Sequence, residues 1–183
     1  MNPIVEEIEL LYSRWGTHNY DERLSQSEHA VQCAQFAIEN GADNELVVAA
    51  LLHDVGHILT LEQKVGSVNL DTNDSHEATG AAYLAPNFSS HVTAPIALHV
   101  EAKRYLCTVE SDYFASLSAG SVRSLELQGG LMTKAEVERF ENHPAAQRAI
   151  ALRRWDEAGK ILEPSGVTFS SFRERIISAL RSS

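Results

Sequence analysis

Six residues with the chemistry of metal ligands interrupt apolar, helix-patterned segments of this chain. They are His29 in SEHAVQCAQFA, His53 and Asp54 in AALLHDVGH, His76 in SHEATGAAYL, His99 in PIALHVEAKRYL and Asp156 in ALRRWDEAG. Each sits on or beside a face that should point inward. One such histidine would be an ordinary hydrogen-bonded core residue. Six polar groups would each need a buried partner, and an unpaired buried carboxylate carries a large desolvation cost, so one shared cation site accounts for all of them together. Imidazole nitrogen and carboxylate oxygen suit iron, manganese, zinc or nickel, and the lack of thiolates in the set argues against structural zinc. The pattern reads as a catalytic metal site.

Helices must position these groups. Apolar residues recur at three- and four-residue spacing in nearly every segment and period-two alternation is almost absent, so the fold class reads as all-α. The pattern predicts helices near 3–14, 27–40, 44–55, 75–85, 90–107, 110–117, 119–128, 133–142, 144–158 and 169–181. Gly41 and Gly159 stand where left-handed helix ends are wanted, Pro144 suits a first turn, and Thr133 with Glu136 spells a capping box. Gly129-Gly130 is a break. The segment from Thr60 to Asp74 lacks periodicity and reads as a mobile loop beside the site.

Length and composition narrow the function. A chain of 183 residues suits one domain spanning 1–183, with no repeat or linker to divide it. The formal net charge of −10, without a cluster of Lys and Arg, excludes nucleic acid as an expected partner. The opening MNPIVEEIELL is acidic where a secretion signal is basic, and the most apolar stretch, Val47 to Leu59, is broken by His53, Asp54 and His57, so no membrane association and a cytoplasmic location are expected. Cys33 and Cys107 form no C-x-x-C pair and read as reduced core residues.

The ordered set of a His, then His-Asp, two further His and a distant Asp, here His29, His53-Asp54, His76, His99 and Asp156, resembles the HD-domain superfamily, which implies a single HD-domain helical bundle. A narrower resemblance covers nearly the whole chain. EHAVQCAQFA, GADNELVVAALLHDVGH, HVEAKRYL, SLELQGG and RRWDEAGK are similar to the HD-domain mixed-valent diiron oxygenases that cleave organophosphonates. That resemblance implies two iron ions in an Fe(II)/Fe(III) pair, O2 as cosubstrate and a small organophosphonate as substrate. It implies one iron held by His29, His53, Asp54 and Asp156, another by His76 and His99, and Asp54 shared. It further implies that His57 and Lys103 contact the phosphonate, with Ser121, Ser124 and Gln128 near it, and that an amine-contacting loop precedes the first ligand helix. Lys103 follows His99 by four residues and so shares its helix face.

A carbon–phosphorus bond has no ready leaving group, so activating water does little, whereas oxidising the adjacent carbon makes the bond breakable. Trp15, Tyr20, Asp21 and Glu22 offer aromatic and anionic groups for the substrate's cationic end or for gating. The NYDERLSQSEH stretch differs from the loop of the primary-amine enzymes, which favours a quaternary ammonium. The expected substrate is therefore 1-hydroxy-2-(trimethylammonio)ethylphosphonate, with glycine betaine and phosphate as products. Three other readings stay open: the same reaction on 2-amino-1-hydroxyethylphosphonate, an HD phosphohydrolase that works without oxygen, and a ligand-sensing HD module without turnover. Oxidation of an inositol-like polyol fits less well, because it gives Lys103 no anion to bind. The oligomeric state is not legible, and His18, His91 and His143 read as surface residues.

Overall fold

The computed structural model describes residues 2–19, 24–64 and 75–181. Tyr20, Asp21 and Glu22, and most of the expected loop from Thr60 to Asp74, lie outside the described residues. The described chain is helical throughout, without a named strand; its only extended pairings are the isolated bridges Asn19 with Ser25 and Phe88 with Leu180.

Helix α1 (Pro3–Trp15) leads to α2 (Gln26–Glu39), whose N-cap Ser25 accepts a bond from the Glu28 N–H. Helix α3 (Asn44–Leu52) is capped by Asp43 and is apolar on every side; residues 46–52 are all buried, as such a helix must be. It runs through the centre, packed by α2, α6 (Ser90–Val109) and α10 (Ala146–Ala158). The predicted single helix over 44–55 is corrected here. It ends at Leu52, turns through His53-Asp54 and restarts as α4 (Val55–Gln63), so Thr60 to Gln63 are helical rather than loop. Successive residues on a straight helix point about 100° apart; the turn lets His53 and Asp54 face one centre. The stretch Asn44–Gln63 is long and apolar enough to cross a membrane, but most of it is buried within the protein, as befits core helices.

Helix α5 (His76–Leu84) crosses α4 where Gly56 faces Gly80: a Cβ on Gly56 would come within 2.8 Å of the His76 Cα, and one on Gly80 within 3.1 Å of the Gly56 nitrogen. In α6, Pro95 cannot donate to the His91 carbonyl, and Arg148 Nη2 bonds that oxygen at 3.2 Å instead. Helices α7 (Ser111–Ser116), α8 (Ala119–Leu127) and α9 (Lys134–Glu141) cover the far end of α6, and the capping box of Thr133 with Glu136 is present. Pro144 lies in the turn before α10 rather than in its first turn. A 3-10 turn (Phe169–Phe172) and α11 (Arg173–Ser178) replace the longer C-terminal helix predicted, closing the core against α1 and α3. Gly41 ends α2 at φ +72°, as expected, but Gly159 does not have a left-handed backbone (φ −75°); its small size matters because a Cβ there would sit 2.7 Å from Cys33 Sγ.

Candidate metal centre

All six ligand-type residues converge. His29 comes from α2, His53 and Asp54 from the turn between α3 and α4, His76 from the first turn of α5, His99 from the middle of α6 and Asp156 from the end of α10. His53, His76, His99 and Asp156 are buried, His53 completely (0% exposed).

Asp54 divides the cluster. Its Oδ2 lies 3.7 Å from His29 Nε2 and 3.4 Å from His53 Nε2; Oδ1 lies 3.5 Å from His76 Nε2 and 3.8 Å from His99 Nε2. On the first side Asp156 Oδ1 completes the set, 3.3 Å from His29 Nε2 and 3.8 Å from His53 Nε2. On the second side His76 Nε2 and His99 Nε2 approach to 3.1 Å. Three of the imidazoles are fixed by backbone carbonyls: Nδ1 of His29 meets Gly159 O at 2.8 Å, His53 meets Ala50 O at 2.8 Å and His99 meets Ile96 O at 2.7 Å. A carbonyl can only accept, so each Nδ1 carries a proton, and Nε2, which faces the centre, is the nitrogen left to bind a cation. His53 Nε2 is a buried atom without a hydrogen-bond partner, which a cation would satisfy.

Burial alone would raise both aspartates. The facing imidazoles of His53, His57 and His76 hold Asp54 well below the usual carboxylate range, and Arg153 does the same for Asp156. Burial opposes charge on His53, yet Asp54 and Asp156 push its pKa up to about 9; a bound cation would displace that proton. His99 is held neutral by burial and by His76 and His53. Hard carboxylates and neutral imidazoles in two adjoining sets fit divalent or trivalent first-row metals.

His57 stacks on His76, ring centroids 3.8 Å apart, with Nε2 3.9 Å from Asp54 Oδ1. Lys103 is buried (4% exposed) and donates to Ser124 Oγ at 2.6 Å. Burial lowers its pKa to about 7, Arg153 and Lys160 adding to the effect and Asp156 opposing it. Ser121 is buried too, accepting from Lys160 Nζ at 2.6 Å and Arg153 Nη2 at 3.2 Å while donating to Glu157 Oε2 at 2.7 Å. Gln128 caps α8 with Oε1 unpartnered in a buried position. Lysines, a guanidinium and serine hydroxyls thus gather beside the six converging residues, a setting for an oxyanion.

Sequence reading missed Arg153, Glu157 and Lys160. The spacing Arg153, Asp156, Glu157, Lys160 was their signal, since it puts three charges on one face of α10 and a fourth just past its end. Trp15 turns its indole N–H to Glu62, which also pairs with Arg14 at 3.0 Å. His91 and His143 are exposed, but His18 is half-buried beside Trp15. Cys33 and Cys107 are free and buried; Cys33 also stands one turn from His29, its Sγ 3.8 Å from Nε2, with the thiol directed to Trp155 O at 3.6 Å.

The family model described as the HD domain matches residues 27–156, which hold all six converging residues. The chain is 51% identical to a hydroxymethylphosphonate dioxygenase from Gimesia maris over 146 residues, 80% of this chain and 73% of that protein. It is 45% identical to the [1-hydroxy-2-(trimethylamino)ethyl]phosphonate dioxygenase (glycine-betaine-forming) of Leisingera caerulea over 159 residues, 86% of this chain and 80% of that protein. The chain is an enzyme that belongs to the HD domain family, in its branch of phosphonate oxygenases.

Proposed function

We propose that this chain uses O2 to cleave the carbon–phosphorus bond of 1-hydroxy-2-(trimethylammonio)ethylphosphonate, giving glycine betaine and phosphate. The observation that carries the reading is the division of Asp54 between two adjoining donor sets beside a cluster of buried cations. It has the support of the 45% identical relative that bears the name of that reaction. Two iron ions are the proposed cofactor, one held by His29, His53, Asp54 and Asp156 and the other by Asp54, His76 and His99. Bound iron would supply the redox chemistry with O2 that oxidises C1.

The reaction balances with one O2: R–CH(OH)–PO3H2 + O2 gives R–COOH + H3PO4, C1 rising to the carboxylate level as its bond to phosphorus breaks. The chain's own residues do the placing. Lys103, Ser121, Ser124, Gln128 and His57 hold the phosphonate, so that C1 faces the centre, Lys103, Ser121 and His57 acting from buried positions. Asp54 and Asp156 stay ionised to hold metal. Tyr20, Asp21 and Glu22 are proposed for the cationic end. The enzyme is proposed to work as a single domain, 1–183, in the cytoplasm on a small molecule.

A second reading has its own observation. The 51% identical relative is named for hydroxymethylphosphonate, which carries no cationic end, so that substrate belongs in the same test. Iron-loaded protein in air is given the trimethylammonio compound, its primary-amine analogue, hydroxymethylphosphonate and a phosphate monoester at equal concentration, with products read by phosphorus and proton NMR. The highest kcat/KM, with glycine betaine formed, is expected for the first. A higher value for hydroxymethylphosphonate replaces the substrate assignment, and turnover of phosphate esters alone overturns the reaction class.

A further inference from the structure

Arg153 lies on α10 one turn before Asp156 and is 3% exposed. A buried guanidinium has five N–H groups to satisfy. Here Nε donates to Tyr113 Oη at 2.8 Å, Nη1 to Asp156 Oδ2, and Nη2 to Glu157 Oε2 and, at 3.2 Å, to Ser121 Oγ. The two oxygens of Asp156 therefore have different duties: Oδ2 is held by Arg153, and Oδ1 faces His29 and His53. A carboxylate free to rotate can chelate a cation with both oxygens and fill an extra coordination position. One oxygen tied into a charge-assisted bond is withdrawn from that role.

We infer that Arg153 is a positioning residue, which presents Asp156 to the first metal position through a single oxygen and ties that carboxylate to Ser121 in the anion-binding cluster. The inference rests on the reading of Asp156 as a metal ligand. Lysine could supply the charge at this place but not the fork that meets Asp156, Glu157, Ser121 and Tyr113 together. The guanidinium also spans two parts of the site, since the hydroxyl it contacts is shared with Lys160 and Glu157.

The test uses the full chain stripped of metal by chelator and titrated with Mn(II) alone, bound ion being counted by the loss of the free Mn(II) paramagnetic signal. Wild type is expected to bind two equivalents, and Asp156→Asn to lose the first while keeping the second. Arg153→Gln is expected to keep both positions with the first weakened about 10- to 100-fold, the usual cost of removing a group that orients a ligand. Arg153→Lys should recover part of that loss. Wild-type Mn(II) affinity in folded Arg153→Gln, whatever its melting temperature, overturns the inference, because a merely structural arginine would change stability and leave metal affinity alone. Two full equivalents on Asp156→Asn would instead overturn the ligand reading beneath it. If Arg153→Gln does not fold, Glu157→Gln loosens one side of the guanidinium and leaves Asp156 in place. At least a threefold weakening of the first position is then expected, and none would overturn the inference.

Discussion

Replacing Gly56 by alanine adds one methyl group at the crossing of α4 and α5, and its consequence follows from the distances there. The new Cβ would stand 2.7 Å from the His76 carbonyl carbon and 2.8 Å from its Cα, with the carbonyl oxygen nearer still. Carbon atoms pack at about 3.5–4.0 Å, so the first turn of α5 has to retreat by about 1 Å. These are backbone atoms and cannot swing aside. His76 Nε2 moves with them, away from Asp54 Oδ1, from which it is now separated by 3.5 Å. Overpacking of this kind costs about 1–3 kcal/mol, offset by about 1 kcal/mol of helix propensity. A ligand misplaced by about 1 Å costs about 100-fold in turnover. Gly41→Ala is the matched control: Gly41 has φ +72° with nothing within 4 Å of its would-be Cβ, so alanine there costs about 1–2 kcal/mol of backbone strain far from the chemistry. Thermal melts and phosphate-release kinetics of both variants give the comparison. Similar stability losses with a turnover defect confined to Gly56→Ala are expected. Turnover of Gly56→Ala within threefold of wild type would refute the claim that this close approach sets His76.

Lys103→Met should raise KM for the phosphonate about 10- to 100-fold, the worth of one charge-assisted bond of about 1.5–3 kcal/mol, while raising stability by about 0.5–2 kcal/mol as a buried ammonium is removed. The pH dependence has a definite sign. Burial holds Lys103 at a pKa of about 7, so it is protonated and able to pair with the anion below that pH and neutral above it. The value of kcat/KM should fall on the alkaline side of about pH 7, and Lys103→Met should lack that limb; an identical profile in the variant would discard Lys103 as its source. Asp54→Asn should empty both metal positions, because its two oxygens face different donor sets; retention of a full equivalent by elemental analysis of folded protein would show that Asp54 is not shared.

Much of the site was legible because its chemistry is carried by residue types that rarely enter apolar helices. His29, His53, Asp54, His76, His99 and Asp156 announced themselves by interrupting hydrophobic periodicity, and the structure brings all six together. What periodicity hid was the break at His53-Asp54: an apolar run on both sides looks like one helix, and only the need to aim adjacent side chains at one point requires a turn. Gly159 was read as a helix end of left-handed backbone, yet its real constraint is the approach of Cys33, a tertiary contact that no local pattern encodes. Its carbonyl, with those of Ala50 and Ile96, fixes the imidazoles through backbone atoms whose partners depend on packing. Arg153, Glu157 and Lys160 were overlooked because charges on and just after a helix usually meet solvent; here Tyr113 of α7 and Ser121 of α8 bond to them instead.

Oxidative cleavage of the carbon–phosphorus bond is tested most directly by counting phosphate against oxygen. Iron-loaded, partly oxidised protein is mixed with 1-hydroxy-2-(trimethylammonio)ethylphosphonate, with hydroxymethylphosphonate alongside, in sealed vessels with known O2 and in parallel without it. One phosphate released per O2 consumed, and none in the anaerobic vessels, is the expected result. Phosphate release that continues unchanged without oxygen would contradict the account and make the centre hydrolytic.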